Sequence, residues 1–315
     1  MPKDPSELTT RQRVSYYLSN LALRGLIGTV GLIPYRQRIP AMGKIISTLG
    51  PLLGADKRVR SNLKMTCPDL SEQEVARLCR EVSDNAGRVI AELYAGAPFI
   101  DRAKAAPITG AGLAALERAR AEGRPVILVT GHFGNYDAAR AGLIARGFKM
   151  GALYRRMANP YFNRHYVRTI GAIGSPLFEQ GKRGMMEMVR HLKQGGIIAI
   201  VADLHVQGGT QIDFFGKPAV TSTVPAELAL KYKAVLIPVY GIRQDNGLDF
   251  EVELSAEIPH SDPVTMTKSI CADLEAVIRK HMGQWFWIHR RWKPYVAPAK
   301  PQVSAQQPPP QKDAS

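Results

Sequence analysis

His132 and Asp137 are the two residues of this 315-residue chain whose types and spacing most suggest chemistry. They lie in TGHFGNYDAAR, residues 130–140, after the apolar run PVILV and before a stretch typical of a helix. On one regular helix, five positions at ~100° each would place the two side chains about 140° apart. They can therefore meet only across a turn that leads into a helix. Gly131 and Gly134 can supply the backbone angles of such a turn, and Asp137 would then lie in the first helical turn.

The pair His132 and Asp137 has a clear chemical use. A carboxylate that holds one imidazole nitrogen fixes the tautomer and stabilises the imidazolium, so the other nitrogen is free to act as a base. The sequence offers no G-x-S-x-G nucleophile and no cysteine close by. The simplest reaction is then removal of a proton from a substrate hydroxyl, which attacks an acyl group. The alternative is a histidine whose hydrogen bonds are satisfied in a turn at the end of a strand.

A metal site is a second alternative. ADLHV places Asp203 and His205 two positions apart after a strand, where their side chains can share one face. Together with His132 and Asp137 they would make a two-His, two-Asp site, as in a metal-dependent hydrolase. No H-E-x-x-H or similar motif supports this set, so we expect neither a metal nor another cofactor.

The elements that must position these residues alternate between helix and strand from residue 110 onwards. Unbroken apolar runs such as IIAIVAD indicate strands buried on both faces, and helical patterns separate them. Ahead of this region, Ser71 and Glu74 form the signature of a capping box at the start of a long helix. The alternation predicts an α/β domain over residues 55–295, with a mixed, mostly parallel sheet flanked by helices. Residues 296–315, which contain QQPPPQ, are predicted to be disordered.

Residues 1–54 are predicted to be an amphipathic segment that associates with membranes. The stretch Ser15–Pro34 is mostly apolar, but Arg24 interrupts it, and the remaining run is shorter than the ~20 residues that span a bilayer. Apolar bulk with basic flanks is typical of a helix at an anionic interface. The flanking arginines are Arg11, Arg13, Arg24, Arg36 and Arg38. A helix packed on the domain's own core is the alternative.

The charge of the chain favours an anionic partner. There are 42 Lys and Arg against 27 Asp and Glu, a formal net charge of +15. An acidic membrane leaflet, an acidic carrier protein and nucleic acid all fit this charge. A basic nucleic-acid-binding protein would leave the apolar N-terminus and the H-x4-D spacing unexplained, and no nucleic-acid recognition motif is present. We therefore expect no nucleic-acid partner.

Four blocks of the sequence resemble the lipid A biosynthesis lauroyl/myristoyl acyltransferase family, within the lysophospholipid acyltransferase superfamily. They occur in the family's order and, with NLKMTCPDLSEQE ahead of them, cover most of residues 60–293. The blocks are GHFGNYD, YRRMANPYFNRHYVRTIG, GGIIAIVADLHVQGG continued by IDFFGKPAVTSTVPAELALKYKAVLIPVY, and QWFWIHRRWK. FFGKPA and WIHRRWK are quite specific, whereas H-x4-D alone is not.

The resemblance implies a single glycerolipid-acyltransferase-like domain that transfers a fatty acyl chain from a thioester donor, usually acyl carrier protein, otherwise acyl-CoA. The implied acceptor is a hydroxyl of a lipid A precursor, an anionic membrane lipid, at the cytoplasmic face of a bacterial inner membrane. ADLH departs from the family's frequent P-D-Q or P-D-H, and STVPAE departs from its usual T-x-G-P-A. These departures keep a lysophospholipid or an aminolipid open as the acceptor.

The resemblance also implies site residues. His132 and Asp137 are the expected catalytic dyad. Arginines in the second block suit phosphate through a planar fork of donors. Asp203 is expected to orient a catalytic or binding group. FFGKPA, together with the polar run that follows it, is expected to form the wall of the site near the acyl and phosphate groups. The predicted substrate-binding residues are Arg155, Arg164, Arg168, Asp203, Thr221 and Ser222.

Overall fold

The computed structural model describes residues 5–52 and 54–293. Helices make up most of the N-terminal third and alternate with strands afterwards. Within the described residues the α-helices are α1 (Thr10–Gly31), α2 (Tyr35–Leu49), α3 (Ala55–Thr66), α4 (Glu72–Leu93), α5 (Ala97–Ala105), α6 (Gly112–Ala121), α7 (Tyr136–Ala145), α8 (Pro160–Ile173), α9 (Lys182–Lys193), α10 (Val224–Tyr232) and α11 (Pro263–Lys280).

A seven-stranded sheet forms the centre of the domain, and a two-stranded hairpin lies apart from it. The strands are β1 (Ile108–Thr109), β2 (Val126–Thr130), β3 (Met150–Tyr154), β4 (Leu177–Glu179), β5 (Ile197–Val201), β6 (Thr210–Phe214), β7 (Lys217–Thr221), β8 (Val235–Arg243) and β9 (Phe250–Leu254). The sheet order is β1-β9-β8-β2-β5-β3-β4, and every neighbouring pair is parallel except β8 with β9. The predicted mixed, mostly parallel sheet flanked by helices is confirmed.

Two central strands of this sheet place the catalytic candidates. β2 and β5 are parallel neighbours, and Thr130 pairs with Val201 at their carboxyl ends. His132 follows two residues after the end of β2, and Asp203 follows two residues after the end of β5. Both residues therefore emerge at the same edge of the sheet, which is where open α/β sheets usually bind their ligands.

The N-terminal residues form two helices rather than one, because Pro34 separates α1 from α2. α2 packs closely on α4 through glycines: a Cβ on Gly43 would lie 2.4 Å from the Asp84 carboxylate, and one on Gly87 would lie 2.6 Å from the Met42 carbonyl oxygen. Helices α2 and α4, which lie on opposite sides of the predicted boundary at residue 54, thus share an interface. In contrast, α1 is largely exposed and contacts α8 through Tyr17 and Asn159, among others.

Among the described residues, no helix combines the length and the apolar character that a membrane crossing requires. The capping box at Ser71 and Glu74 is confirmed at the start of α4. The β6–β7 hairpin was not predicted, because FFGKPA was interpreted as part of a binding wall rather than as a turn. Phe215 in that turn has a φ of 56° and the adjacent Gly216 a φ of 67°. The predicted disordered tail, 296–315, lies outside the described residues.

Candidate active site

A hydrogen-bonded pair of His132 and Asp203 is the centre of the site. His132 Nδ1 lies 2.7 Å from Asp203 Oδ1, and the main-chain N–H of His132 donates to Asp203 Oδ2 at 2.7 Å. The indole N–H of Trp285 also donates to Oδ2, at 2.9 Å. The Asp203 side chain is fully buried, whereas that of His132 is 28% exposed. The carboxylate therefore fixes both the backbone and the ring of His132, and Nε2 is the nitrogen left for substrate.

The electrostatics of the pair favour a charged carboxylate and a basic imidazole. Burial alone would lower the pKa of His132, but the negative charge and the hydrogen bond of Asp203 outweigh it and raise the pKa above its usual value. Burial alone would raise the pKa of Asp203, yet the charge of His132 and the hydrogen bonds that Asp203 accepts hold it well below its usual range. Asp203 is thus an anion at neutral pH, and Nδ1 of a neutral His132 carries the proton.

The turn that carries His132 has no space for larger residues. Gly134 has a φ of 52°, and a Cβ there would lie 2.0 Å from the carbonyl oxygen of Gly241 in β8. A Cβ on Gly131 would lie 3.0 Å from Asp203 Oδ2. The predicted special backbone angle is confirmed at Gly134. It is wrong at Gly131, which has no positive φ; there the constraint is close packing against the Asp203 carboxylate and Leu274.

A buried ion pair holds the start of α7 beneath this turn. The Asn135 side chain caps α7 by accepting from the N–H groups of Asp137 and Ala138, and its Nδ2 donates to Glu92 Oε2 at 2.8 Å. Glu92 is fully buried and pairs with the Arg243 guanidinium through both carboxylate oxygens. Because the amide both caps the helix and contacts the ion pair, α4, β8 and α7 keep a fixed arrangement around the site.

A cavity of about 290 Å³ opens beside His132 and extends between the sheet and helices α7 and α8. Its lining combines polar groups with aliphatic side chains from β3, β5, β8, α7 and α8. The polar lining includes Tyr136, Asp137, Arg140, Tyr154, Arg155 and Tyr166; the aliphatic lining includes Leu143, Met150, Ala152, Ile170, Ala199 and Val239. Such a cavity, apolar with a few convergent polar groups, suits a ligand with a long hydrocarbon part.

The comparison with known families agrees with this geometry. Residues 5–294 match the model of a family described as bacterial lipid A biosynthesis acyltransferase. The chain belongs to this family. The match spans the strands, the turn and the helices that build the His132 site, and the acyltransferase family inferred from sequence blocks is therefore confirmed.

Characterised relatives of this acyltransferase family member are distant in sequence. The lipid A biosynthesis lauroyltransferase of Escherichia coli is 26% identical over 88% of this chain and 92% of its own length. The lipid A biosynthesis acyltransferase of Haemophilus influenzae is 24% identical over 82% of each chain. The phosphatidylinositol mannoside acyltransferase of Mycobacterium tuberculosis is 26% identical over 58% of each chain. The alignment with this last relative therefore covers less than two thirds of its length.

Asp137 does not hold the imidazole, in contrast to the predicted pairing. It lies in the first turn of α7, as expected, but its carboxylate is 3.7 Å from Arg140 Nη1, and the Nδ1 position of His132 is occupied by Asp203. Burial raises the pKa of Asp137, and Arg140 only partly offsets this effect. Asp137 and His132 do line the same cavity. A catalytic role for Asp137 therefore requires contact with substrate rather than with His132.

The other predicted binding residues are divided between the cavity and the rest of the fold. Arg155 lines the cavity and is exposed, whereas Arg164 and Arg168 are exposed on α8 and are not part of the cavity wall. Thr221 is 2% exposed and accepts a hydrogen bond from the buried Arg291. The Ser222 hydroxyl accepts from Val224 N–H at the start of α10. Asp203 orients His132, as the expected orienting residue should, but it does not line the cavity.

Trp285, in the block QWFWIHRRWK, was not predicted from the sequence to be part of the site. Trp285 and Trp287 are 1% and 0% exposed and pack with Phe214 and Phe215 of the hairpin. Trp285 also carries an indole donor, and a buried indole N–H nearly always has a partner. That requirement was the available signal, but the identity of the partner depended on the fold.

Metal coordination finds little support in the geometry. Across residues 5–52 and 54–293, no group of three or more His, Cys, Asp and Glu residues is arranged to hold a metal ion. The Nδ1 atom of His205 is buried without a hydrogen-bond partner, and the set His132, Asp137, Asp203 and His205 is not gathered into one site. The hydrolase alternative thus lacks a ligand set in the described part of the chain.

Proposed function

We propose that this protein transfers a fatty acyl chain from a thioester donor to a hydroxyl of a lipid A precursor, with His132 as the general base. The observation that carries this proposal is the pairing of His132, which lines a cavity with many aliphatic side chains, with a buried, charged Asp203. Membership of the family supports the same reaction class.

The reaction balances with His132 alone moving the proton. Nε2 accepts the proton of the acceptor hydroxyl as its oxygen attacks the thioester carbonyl carbon. The tetrahedral intermediate then collapses, the carbon–sulfur bond breaks, and the imidazolium returns its proton to the leaving thiolate. The products are the new ester and a free thiol. Asp203 stabilises the imidazolium between the two proton transfers, and Asp137 is proposed to contact the substrate from the first turn of α7.

The aliphatic part of the cavity is proposed to hold the acyl chain. Ala152 in β3 and Ala199 in β5 are paired in register and both line the cavity, so their small side chains leave space at the sheet surface. The size of this cavity would then limit the length of the acyl chain that is transferred, because each methylene that stays outside it loses about 0.8 kcal/mol of favourable burial free energy.

Filling the cavity is expected to shift the preferred chain length. Ala199→Leu should reduce kcat/KM for the preferred acyl thioester by about fourfold for each methylene excluded and favour shorter chains. The measurement is kcat/KM for a series of acyl-carrier-protein thioesters. Ala114→Leu, at an exposed position of α6, is the matched control. An unchanged chain-length profile in Ala199→Leu would show that the chain binds elsewhere.

The donor and the acceptor are proposed from charge and from the relatives. A net charge of +15 suits an acidic acyl carrier protein as the donor, and the exposed guanidinium of Arg155 on the cavity wall suits an acceptor phosphate. The relatives are named for two kinds of acceptor, lipid A precursors and phosphatidylinositol mannosides. A lysophospholipid or aminolipid acceptor is the second candidate, supported by the departures in ADLH and STVPAE.

Lipid mass spectrometry of a strain that lacks this protein tests the acceptor. Underacylated lipid A, restored by the wild-type protein and not by His132→Ala, is the expected result. Normal lipid A together with a changed glycerophospholipid or aminolipid profile would contradict the lipid A proposal while leaving acyl transfer intact.

We also propose that α1 and α2 lie on the cytoplasmic face of the bacterial inner membrane. Several large apolar side chains of this region are exposed, and the arginines Arg11, Arg13, Arg24 and Arg36 among them are exposed as well. The exposed apolar residues are Val14, Tyr17, Leu18, Leu21, Leu23, Leu26, Leu32, Ile33, Ile45 and Leu49. An exposed apolar surface with basic residues around it is typical of an interfacial helix.

Deleting residues 1–34 is expected to weaken membrane binding and to make the binding that remains sensitive to salt. The remaining basic surface contributes about 1 kcal/mol per Lys or Arg near an anionic leaflet, and salt screens this attraction but not apolar insertion. Sedimentation with anionic vesicles at low and high salt measures the effect. Activity should fall more on a membrane-embedded acceptor than on a detergent-dispersed one. Equal salt-dependent partition of both proteins would contradict membrane association by α1.

A further inference from the structure

A second cavity, separate from the one beside His132, lies between α1, α2, α4 and α8. Its volume is about 270 Å³, and its lining residues are apolar apart from Arg38 and Tyr94. The lining residues are Leu23, Leu26, Ile27, Val30, Arg38, Met42, Ile90, Ala91, Tyr94 and Phe162. An apolar cavity of about 150 Å³ already holds a benzene molecule, so this space is large enough for part of an alkyl chain.

The guanidinium of Arg38 is the unusual feature of this cavity. Arg38 was expected to flank the membrane segment as an exposed cation, but it is only 6% exposed. Its Nη1 donates to the Gly31 carbonyl oxygen at 3.1 Å, and its Nε has no hydrogen-bond partner. None of the ion pairs among the described residues includes Arg38. A buried cation without a paired anion is costly, so an anionic group that binds beside Arg38 would be stabilised.

The rim of the cavity connects it to the exposed apolar surface of α1. Leu26 is 61% exposed, Leu23 43% and Ile90 50%, and all three also line the cavity. An amphiphile at that surface can therefore enter through an apolar opening. Its head group must fit beside the buried Arg38, which favours a small one. A carboxylate that ends an alkyl chain meets this condition, and arginine binds it through two parallel hydrogen bonds.

We propose that this cavity binds a fatty carboxylate, with the alkyl chain between α1 and α4 and the carboxylate on Arg38. The site is separate from the transfer cavity, and it does not depend on the acyl-transfer proposal. A bound chain would add apolar contacts between α1, α2 and α4, where α1 is otherwise largely exposed. Occupancy would therefore hold α1 against the domain, and hydrogen exchange of the α1 amides should slow when the ligand is present.

Equilibrium dialysis of radiolabelled dodecanoate and dodecan-1-ol against the full-length protein tests the site. Arg38→Met should weaken dodecanoate binding by about tenfold or more, because a charged hydrogen bond is lost, and should change dodecan-1-ol binding little. Ile27→Trp should fill the cavity and weaken both ligands. Leu18→Trp, at an exposed position of α1 away from the cavity, is the control. Ala199→Leu narrows the transfer cavity and should leave the Arg38-dependent component unchanged.

Several results would overturn the proposal. Wild-type affinity for dodecanoate in either Arg38→Met or Ile27→Trp would show that the ligand binds elsewhere. Arg38-dependent binding of 1-dodecanoyl-lysophosphatidate without binding of dodecanoate would replace the fatty carboxylate with a lipid phosphate. Circular dichroism establishes whether Arg38→Met is folded. If Arg38→Met is unfolded, binding to Ile27→Trp, which alters a helix that is largely exposed, tests the site instead.

Discussion

Replacing Asp203 by Asn is expected to lower kcat for acyl transfer by about 10³-fold while the protein remains folded. Oδ2 of Asp203 accepts from two N–H groups, those of His132 and Trp285. An asparagine that keeps its oxygen there presents its NH₂ to His132 Nδ1. The imidazole must then accept at Nδ1 and carry its proton on Nε2, so it cannot take a proton from the acceptor. Steady-state kcat with a saturating acyl thioester measures the loss.

The pH dependence of Asp203→Asn should change as well. Since Asp203 raises the pKa of His132, wild-type kcat/KM should fall as the pH drops through a pKa above 6.5, because protonated His132 cannot act as a base. Without the carboxylate charge this acidic limb should move to lower pH. Asp213→Asn, an exposed position in β6, is the matched control and should keep the wild-type profile. Wild-type kcat in Asp203→Asn would contradict the assigned pair.

Replacing His132 by Ala is expected to have the largest effect, a loss of kcat of about 10⁴-fold. The side chain is on the cavity wall, and its Nε2 is the base proposed for the acceptor hydroxyl. Substrate binding should change little, since the cavity lining is otherwise retained, so the loss should appear in kcat rather than in KM. Single-turnover transfer of a labelled acyl chain measures the residual rate.

His205→Ala is the control that separates two mechanisms. Under the His132–Asp203 assignment, His205→Ala should retain activity, because His205 neither bonds to His132 nor lines the cavity. A metal-dependent hydrolase would need His205 as a ligand. Loss of activity in His205→Ala, together with a loss of wild-type activity on chelation that one specific metal ion restores, would therefore contradict general-base catalysis by His132 alone.

The sequence predicted the elements of the fold better than their contacts. The run IIAIVAD and the helix after the turn at Gly134 were recognised from apolar patterns and glycine placement. In contrast, nothing local indicates that β2 and β5 are neighbours. Because these strands are adjacent, Asp203 lies beside His132, 71 positions away in the sequence, and Asp137 lies beside Arg140 instead. The spacing between His132 and Asp137 was thus a correct guide to the site but not to the hydrogen bond.

Burial also decided roles that composition left open. Arg38 and Trp285 have the residue types of a membrane interface, yet both are buried, one beside an apolar cavity and the other against Asp203. Thr221 has the type of a ligand contact, but its hydroxyl is bonded to Arg291. Such roles depend on which helices and strands pack together, and a single sequence does not contain that information.

The side-chain ¹⁵N chemical shifts of His132, followed by NMR from pH 5 to pH 9, test the central claim most directly. The His132–Asp203 pair predicts a pKa above 6.5 and, in the neutral form, a proton on Nδ1. Asp137→Asn should leave both unchanged, whereas Asp203→Asn should lower the pKa and move the proton to Nε2. A neutral wild-type His132 protonated on Nε2, or a pKa that responds to Asp137→Asn and not to Asp203→Asn, would contradict the account.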